Sequence, residues 1–174
     1  MTASGLYFRE KHAKNRERIE SIMEIKDALR NNLEGEALTN ALGFVDYLTE
    51  KGLTPKKEWD KGFRLIKKDK SPCLIVLLND GKGWFICDVP VAYESGWDSL
   101  NDDLKVFLVS HIKICTVHEG GNCGCGNEPG INSKIFDKSY DNTCTSQIQF
   151  VNPDAVVLDK LKEVIEWWVV NIGV

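Results

Sequence analysis

Apolar and polar positions follow two rhythms along this chain, and the change falls near Leu53. From Phe8 to Asn31 strong helix formers dominate, and Ile19, Ile22, Met23 and Leu29 recur near a 3.6-residue spacing, which predicts a helix with one thin apolar stripe. A second helix is predicted over Glu36 to Glu50. It buries Leu38, Leu42, Val45 and Leu48 and stops at Lys51-Gly52, where glycine supplies the cap. Leu53-Thr54-Pro55 marks a turn into a new regime.

From Gly62 the period becomes extended. Phe63 to Lys68, Cys73 to Leu78 and Trp84 to Val89 are aromatic and aliphatic runs parted by Asp69-Lys70-Ser71-Pro72 and by Asn79 to Gly83, which predicts a three-stranded antiparallel meander. Its middle strand is apolar on both faces, as expected where layers cover both sides. Ser99 is the expected cap of a short helix with Leu100, Leu104, Phe107 and Leu108 on its inner face and Asp102 and Asp103 in the first turn. His111 to Val117 then alternates, which places Ile112 and Ile114 on one face and turns Cys115 away from the core. Gln147 to Val151 reads as the last strand. Asn152-Pro153-Asp154 reads as a helix start, with asparagine as cap and proline at the first helical position. Leu161, Ile165, Trp168 and Ile172 share one face of that terminal helix, widened by Val157 and Val164. The fold class expected is α+β: N-terminal helices, an antiparallel sheet made of the meander plus two later strands, and a C-terminal helix packed on the sheet. Residues 1–174 should form a single domain, with a helical part over 1–53 and an α+β part over 54–174.

Composition narrows the class. With 174 residues, 43% apolar and 28% charged, the chain has the make-up of a globular domain, which excludes disordered and fibrous classes. The longest apolar run, Cys73 to Leu78, is far short of the roughly 20 residues that cross a bilayer. No leader pattern opens the chain, so a cytoplasmic location without a membrane is expected. A net charge of −4 argues against non-specific nucleic-acid binding. The charge is unevenly spread: Lys56 to Lys70 holds seven basic and three acidic residues, while Glu94 to Asp103 holds four acidic residues and no base. Five tryptophans stand out; Trp84 and Trp168 are assigned to the core, and for Trp59, Trp97 and Trp167 core packing or partial burial is favoured over a pocket or an interface.

Cysteine spacing changes the picture most. Of six cysteines, four (Cys115, Cys123, Cys125 and Cys144) fall in one 30-residue window. A chain this large needs no disulfide framework, so in a reducing compartment the window favours thiols or a metal. Cys73 and Cys87 sit in strand-like apolar runs and read as small buried hydrophobes. In the window, two residues separate Cys115 from His118, Cys123-Gly-Cys125-Gly follows, and 18 residues separate Cys125 from Cys144. Soft thiolates and an imidazole suit zinc, and Cys115, His118, Cys123, Cys125 and Cys144 compete for its four positions. His118 to Gly130 holds five glycines and one proline in 13 residues, a composition that forms no regular element and is costly to order unless something ties it down. A metal clip would do so. The expected role is a small-molecule or protein-binding module. A zinc-dependent enzyme with an open coordination position and a thiol redox sensor are the alternatives, and Cys-His catalysis would draw on Cys115 or Cys125 with His111 or His118.

From Lys61 onward the order of parts resembles a group of uncharacterised bacterial proteins typical of Firmicutes. The pieces that carry the resemblance are Trp84-Phe-Ile-Cys87, the cluster from Cys115 to Cys125, Ile135-Phe-Asp-Lys-Ser-Tyr-Asp-Asn-Thr-Cys144 and Phe150-Val-Asn-Pro-Asp-Ala155. His118 stands where the group would have a cysteine, and Lys138-Ser139 interrupts the third piece. The resemblance implies no activity. It implies that the cluster and Cys144 form one unit.

Overall fold

A computed structural model describes residues 3–78, 83–91, 96–115 and 130–173. Two helices come first, α1 (Ala3–Asn32) and α2 (Gly35–Glu50). They are joined so tightly that Gly35 adopts φ 58°, a conformation glycine reaches without strain. The buried residues of this hairpin are Ile25, Leu29 and Leu33 from one arm and Ala41, Phe44, Val45 and Leu48 from the other. Ile19 and Met23, expected on the inner stripe of α1, are exposed. The core stripe begins later, where α2 and the sheet are near enough to cover it. Gly52, at φ 86°, ends α2 as expected.

The meander is present as β2 (Gly62–Lys67), β3 (Lys70–Leu77) and β4 (Trp84–Cys87), but a further strand, β1 (Thr54–Trp59), precedes it. A 3-10 turn at Trp97–Ser99 leads into α3 (Asp102–Val109). Its cap is Asn101, whose side chain accepts from Leu104 N at 2.9 Å, in place of the expected Ser99. Then come β5 (Ile112–Ile114), β6 (Ile131–Ile135), the long β7 (Lys138–Val151) and α4 (Ala155–Asn171). The cap of α4 is Asp154, which accepts from Val157 N at 2.9 Å. Asn152 serves a different purpose: at φ 45° its Oδ1 accepts from Trp84 N, stitching the strand end to β4.

All strand pairs are antiparallel, in the order β1-β2-β3-β4-β7-β5, with β6 also on β7. The α+β architecture with N-terminal helices and a C-terminal helix is as the pattern predicts, though the later part of the sheet has three strands instead of two. One core joins the buried faces of all four helices to alternate sheet positions, among them Phe63, Leu65, Ile75, Ile86, Ile148 and Phe150. The intervening positions Leu74, Val76 and Cys87 form a smaller cluster on the opposite face with Phe85. β3 is therefore buried on both faces, as its sequence demands. Leu161, Ile165, Trp168 and Ile172 of the α4 segment all enter the main core. No helix among the described residues is long and apolar enough to cross a membrane.

Candidate functional site

The site is assembled on β7. Thr143 pairs with Ile131 of β6 and with Ile114 of β5, so the two partners occupy opposite edges of β7 at that point. Further along, Gln149 pairs with Cys87 of β4 while its N–H donates to His111 O on the other edge, at 3.0 Å. β6 and β4 thus follow one another along one edge, and β5 holds the other.

Asn142, at φ 55°, clamps the end of β5 from both sides. Cys115 N donates to Asn142 O at 2.7 Å, and Asn142 Nδ2 donates to Cys115 O at 2.9 Å. Gly130, which opens the strand run of β6, comes to the same point. A Cβ built on it would lie 2.7 Å from Cys115 Cβ and 2.9 Å from the Asn142 carbonyl carbon, so only glycine fits. Cys115, at the end of β5, and Gly130, at the start of β6, therefore meet at one spot, and the Asn142 between them is two residues from Cys144 along β7.

Cys115 and Cys144 are both buried, at 2% and 0% exposure. The expectation that Cys115 points away from the core is overturned. Ile114, at 48% exposure, takes the outward place, because the register of β5 against β7 shifts between Ile112 and Ile114 and breaks the simple alternation. Cys144 Sγ accepts from Gln149 Nε2 at 3.5 Å. His118, Cys123 and Cys125 lie outside the described residues. Among the described residues, no three His, Cys, Asp or Glu side chains stand close enough to hold a metal by themselves.

Cys73 and Cys87 behave as the small buried hydrophobes expected of them, at 0% and 2% exposure. Burial pushes the Cys87 thiol up to about 12, with Asp88 adding to the rise, and burial raises Cys73 as well. Burial therefore keeps both thiols protonated near neutrality. His111 is held by aromatic rings and a backbone carbonyl. Its ring packs against both Phe107 and Phe150, 4.9 and 4.5 Å away, and Nδ1 donates to Phe107 O at 2.8 Å, which fixes the tautomer.

Sequence reasoning missed the polar half of this region. Thr143 Oγ1 lies 2.8 Å from Ser133 Oγ, and Gln147 Nε2 donates to Ser133 Oγ at 3.2 Å, all buried beneath the β6–β7 hairpin. The run Thr143-Cys-Thr-Ser-Gln147 was its only signal, a string of small polar residues where a core strand would alternate. Charge is locally balanced on the sheet. Arg64 sits between Glu58 and Asp88 at 3.1 and 2.7 Å, and Lys57 reaches Glu24 of α1 at 3.2 Å, so the basic stretch around β2 is partly neutralised.

Trp84 and Trp168 lie in the core as expected, and of the other three only Trp59 is largely exposed. Trp97 belongs to the core, 2% exposed and 5.0 Å from the half-buried Trp167, while Trp59 is 48% exposed and lies over Gly62. Trp167 lines an open cavity of about 420 Å³ with Lys51, Glu166 and Val170 on the outer side of α4. A smaller one of about 190 Å³ lies among Glu36, Asn40, Trp84 and Asp154. Neither is lined by a cysteine or a histidine. Compared with protein-family models, curated proteins and solved structures, the chain finds no match.

Proposed function

We propose that this chain is a small metal-binding domain in which a structural zinc ion clips the glycine-rich segment to β7, and whose wider role is to bind a small molecule or a protein in a reducing compartment. The observation that carries this reading is the shared meeting point of Cys115 and Gly130, beside the buried Cys144. The residues that flank 116–129 thus meet at one point, near two candidate ligands, Cys115 and Cys144. His118 lies three residues from Cys115 and Cys125 five from Gly130, so a fully extended chain keeps them within roughly 11 and 18 Å of that point. Zinc asks for four soft ligands in a tetrahedron, and Cys115, His118, Cys123, Cys125 and Cys144 offer five. Four protein ligands close the site and make the metal's contribution one of folding energy. The apolar cavity beside Trp167 and the exposed Trp59 supply surface for a partner.

The test is elemental analysis of protein purified without chelator, followed by cobalt substitution. One zinc per chain and a cobalt spectrum with sulfur-to-metal charge transfer are expected. Cys144→Ser and Cys115→Ser should lose metal, whereas Cys73→Ser should keep it. Metal-free native protein whose melting temperature ignores added zinc overturns the reading.

A further inference from the structure

Trp84 opens β4 and sits in the core beside α2, its ring 6.5 Å from that of Phe44. The residue is wholly buried, yet its Nε1 hydrogen has no acceptor. A buried donor without a partner is a costly exception in a folded chain, and it calls for an acceptor that the chain itself does not supply. Of the two cavities described above, the one of about 190 Å³ is lined by Trp84, and it is the space from which an acceptor would reach that hydrogen.

A second set of donors borders the same cavity. Glu36 and Ala37, which line it, are the second and third residues of α2. The first bond within that helix runs from Leu38 N to Glu34 O, so the N–H groups of Glu36 and Ala37 have no intrahelical acceptor. Glu34, at the cap position, makes no side-chain bond to them. The helix dipole adds partial positive charge at this end. An uncapped helix start and a free indole N–H together favour a carboxylate.

The rim has the opposite character. Glu36 and Asp154 line the cavity with exposed side chains, and no lysine or arginine lines it. Asp154 uses Oδ1 to cap α4, and Glu36 enters no ion pair among the described residues. Two carboxylates without a cation favour a positive group. A lone carboxylate ligand would meet their repulsion, and a lone amine would leave the indole unpaired. A molecule with both charges on one carbon satisfies both sets. At ~30 Å³ per water, the cavity has room for about six non-hydrogen atoms, the size of alanine or serine.

We infer that this cavity binds a small free α-amino acid, whose carboxylate accepts from Trp84 Nε1 and the start of α2 while its ammonium faces Glu36 and Asp154. The inference rests on the small-molecule half of the role proposed above, gives it a place and a ligand class, and does not depend on zinc.

The experiment follows the indole N–H cross-peaks of the isotope-labelled full chain during titration with alanine, serine, propionate and ethylamine. The Trp84 peak is the one missing from Trp84→Phe. Alanine and serine should move it downfield, as a hydrogen gaining an acceptor does, at lower concentrations than propionate or ethylamine. Trp84→Phe keeps a ring and removes the donor, so calorimetry should find alanine bound about 10-fold more weakly. Asn40→Phe, on the half-buried wall of the cavity, fills it and should abolish binding, which keeps the test decisive if Trp84→Phe does not fold. Propionate binding as tightly as alanine overturns the amino-acid class. Heat of binding with a still Trp84 peak overturns this site and leaves the small-molecule role standing. Neither heat nor shift with any of these compounds overturns the inference, leaving an ordered water as the partner of the indole and the cavity beside Trp167 as the seat of that role.

Discussion

Gly130→Ala is the sharpest probe of how Cys115, Gly130 and Asn142 meet. The added methyl would sit 2.7 Å from Cys115 Cβ and 2.9 Å from the backbone carbon of Asn142, and closer still to Asn142 Oδ1. Two of those three atoms belong to the sheet and cannot swing aside. To reach ordinary contact near 3.5–4 Å, Cys115 and Asn142 must move apart by about 1 Å, and the two hydrogen bonds between them stretch beyond useful length. Overpacking a tight site costs about 1–3 kcal/mol, and each of the two net hydrogen bonds contributes about 1 kcal/mol, so destabilisation of roughly 3–5 kcal/mol is expected. For a chain of this size each kcal/mol lowers the melting temperature by roughly 2–4 °C. Urea unfolding followed by circular dichroism measures the change. Asn142→Gly in the same background removes the nearest clashing atom and relieves the positive φ at 142, so the double variant should recover part of the loss, a non-additivity expected of groups in contact. A Gly130→Ala protein within about 0.5 kcal/mol of wild type would show that the three residues do not share one tight spot, and the argument from their meeting point would fall with it.

Two further outcomes follow from buried groups. Gln147→Leu removes the unpartnered Oε1 and leaves Ser133 and Thr143 hydrogen-bonded to one another. Its stability should lie within about 1 kcal/mol of wild type, and a loss above about 2 kcal/mol in urea unfolding would mean that the amide is satisfied in solution. The Cys87 thiol has its pKa raised from 9.0 to about 12 in the fold. Below pH 9 both states hold the proton and the group is silent. Between pH 9 and 12 the unfolded chain loses it first, so stability declines by about 1.4 kcal/mol per pH unit from this group. Cys87→Ala should flatten that alkaline decline in urea midpoints taken at rising pH, and an identical slope in the two proteins would contradict the burial argument.

Much of the fold was legible because its signals are local. The spacing in α2, the shared face of Leu161, Ile165 and Trp168 in α4, and the three apolar runs of β2, β3 and β4 each declare themselves within a dozen residues. β1 was not legible. Thr-Pro-Lys-Lys-Glu-Trp is polar, and it is a strand only because β2 lies beside it and α1 packs against it. The hairpin of β6 and β7 was read only at its last five residues, since left-handed conformations at Phe136, Asn142 and Gln147 erase the period-two pattern.

By itself, the sequence determined the layer order, the helical faces and the choice of five sulfur and imidazole candidates, because residue type and near-neighbour spacing carry that information. It could not determine that Cys115 faces inward, that Asn142 and Gly130 meet it at one spot, or that Gln149 reaches Cys144. Those depend on the register between strands far apart in the chain and on the bulge that sets Cys144 to Gln147 of β7 against Lys113 of β5, where one step of slippage reverses every side chain. Only the assembled sheet decides such a register.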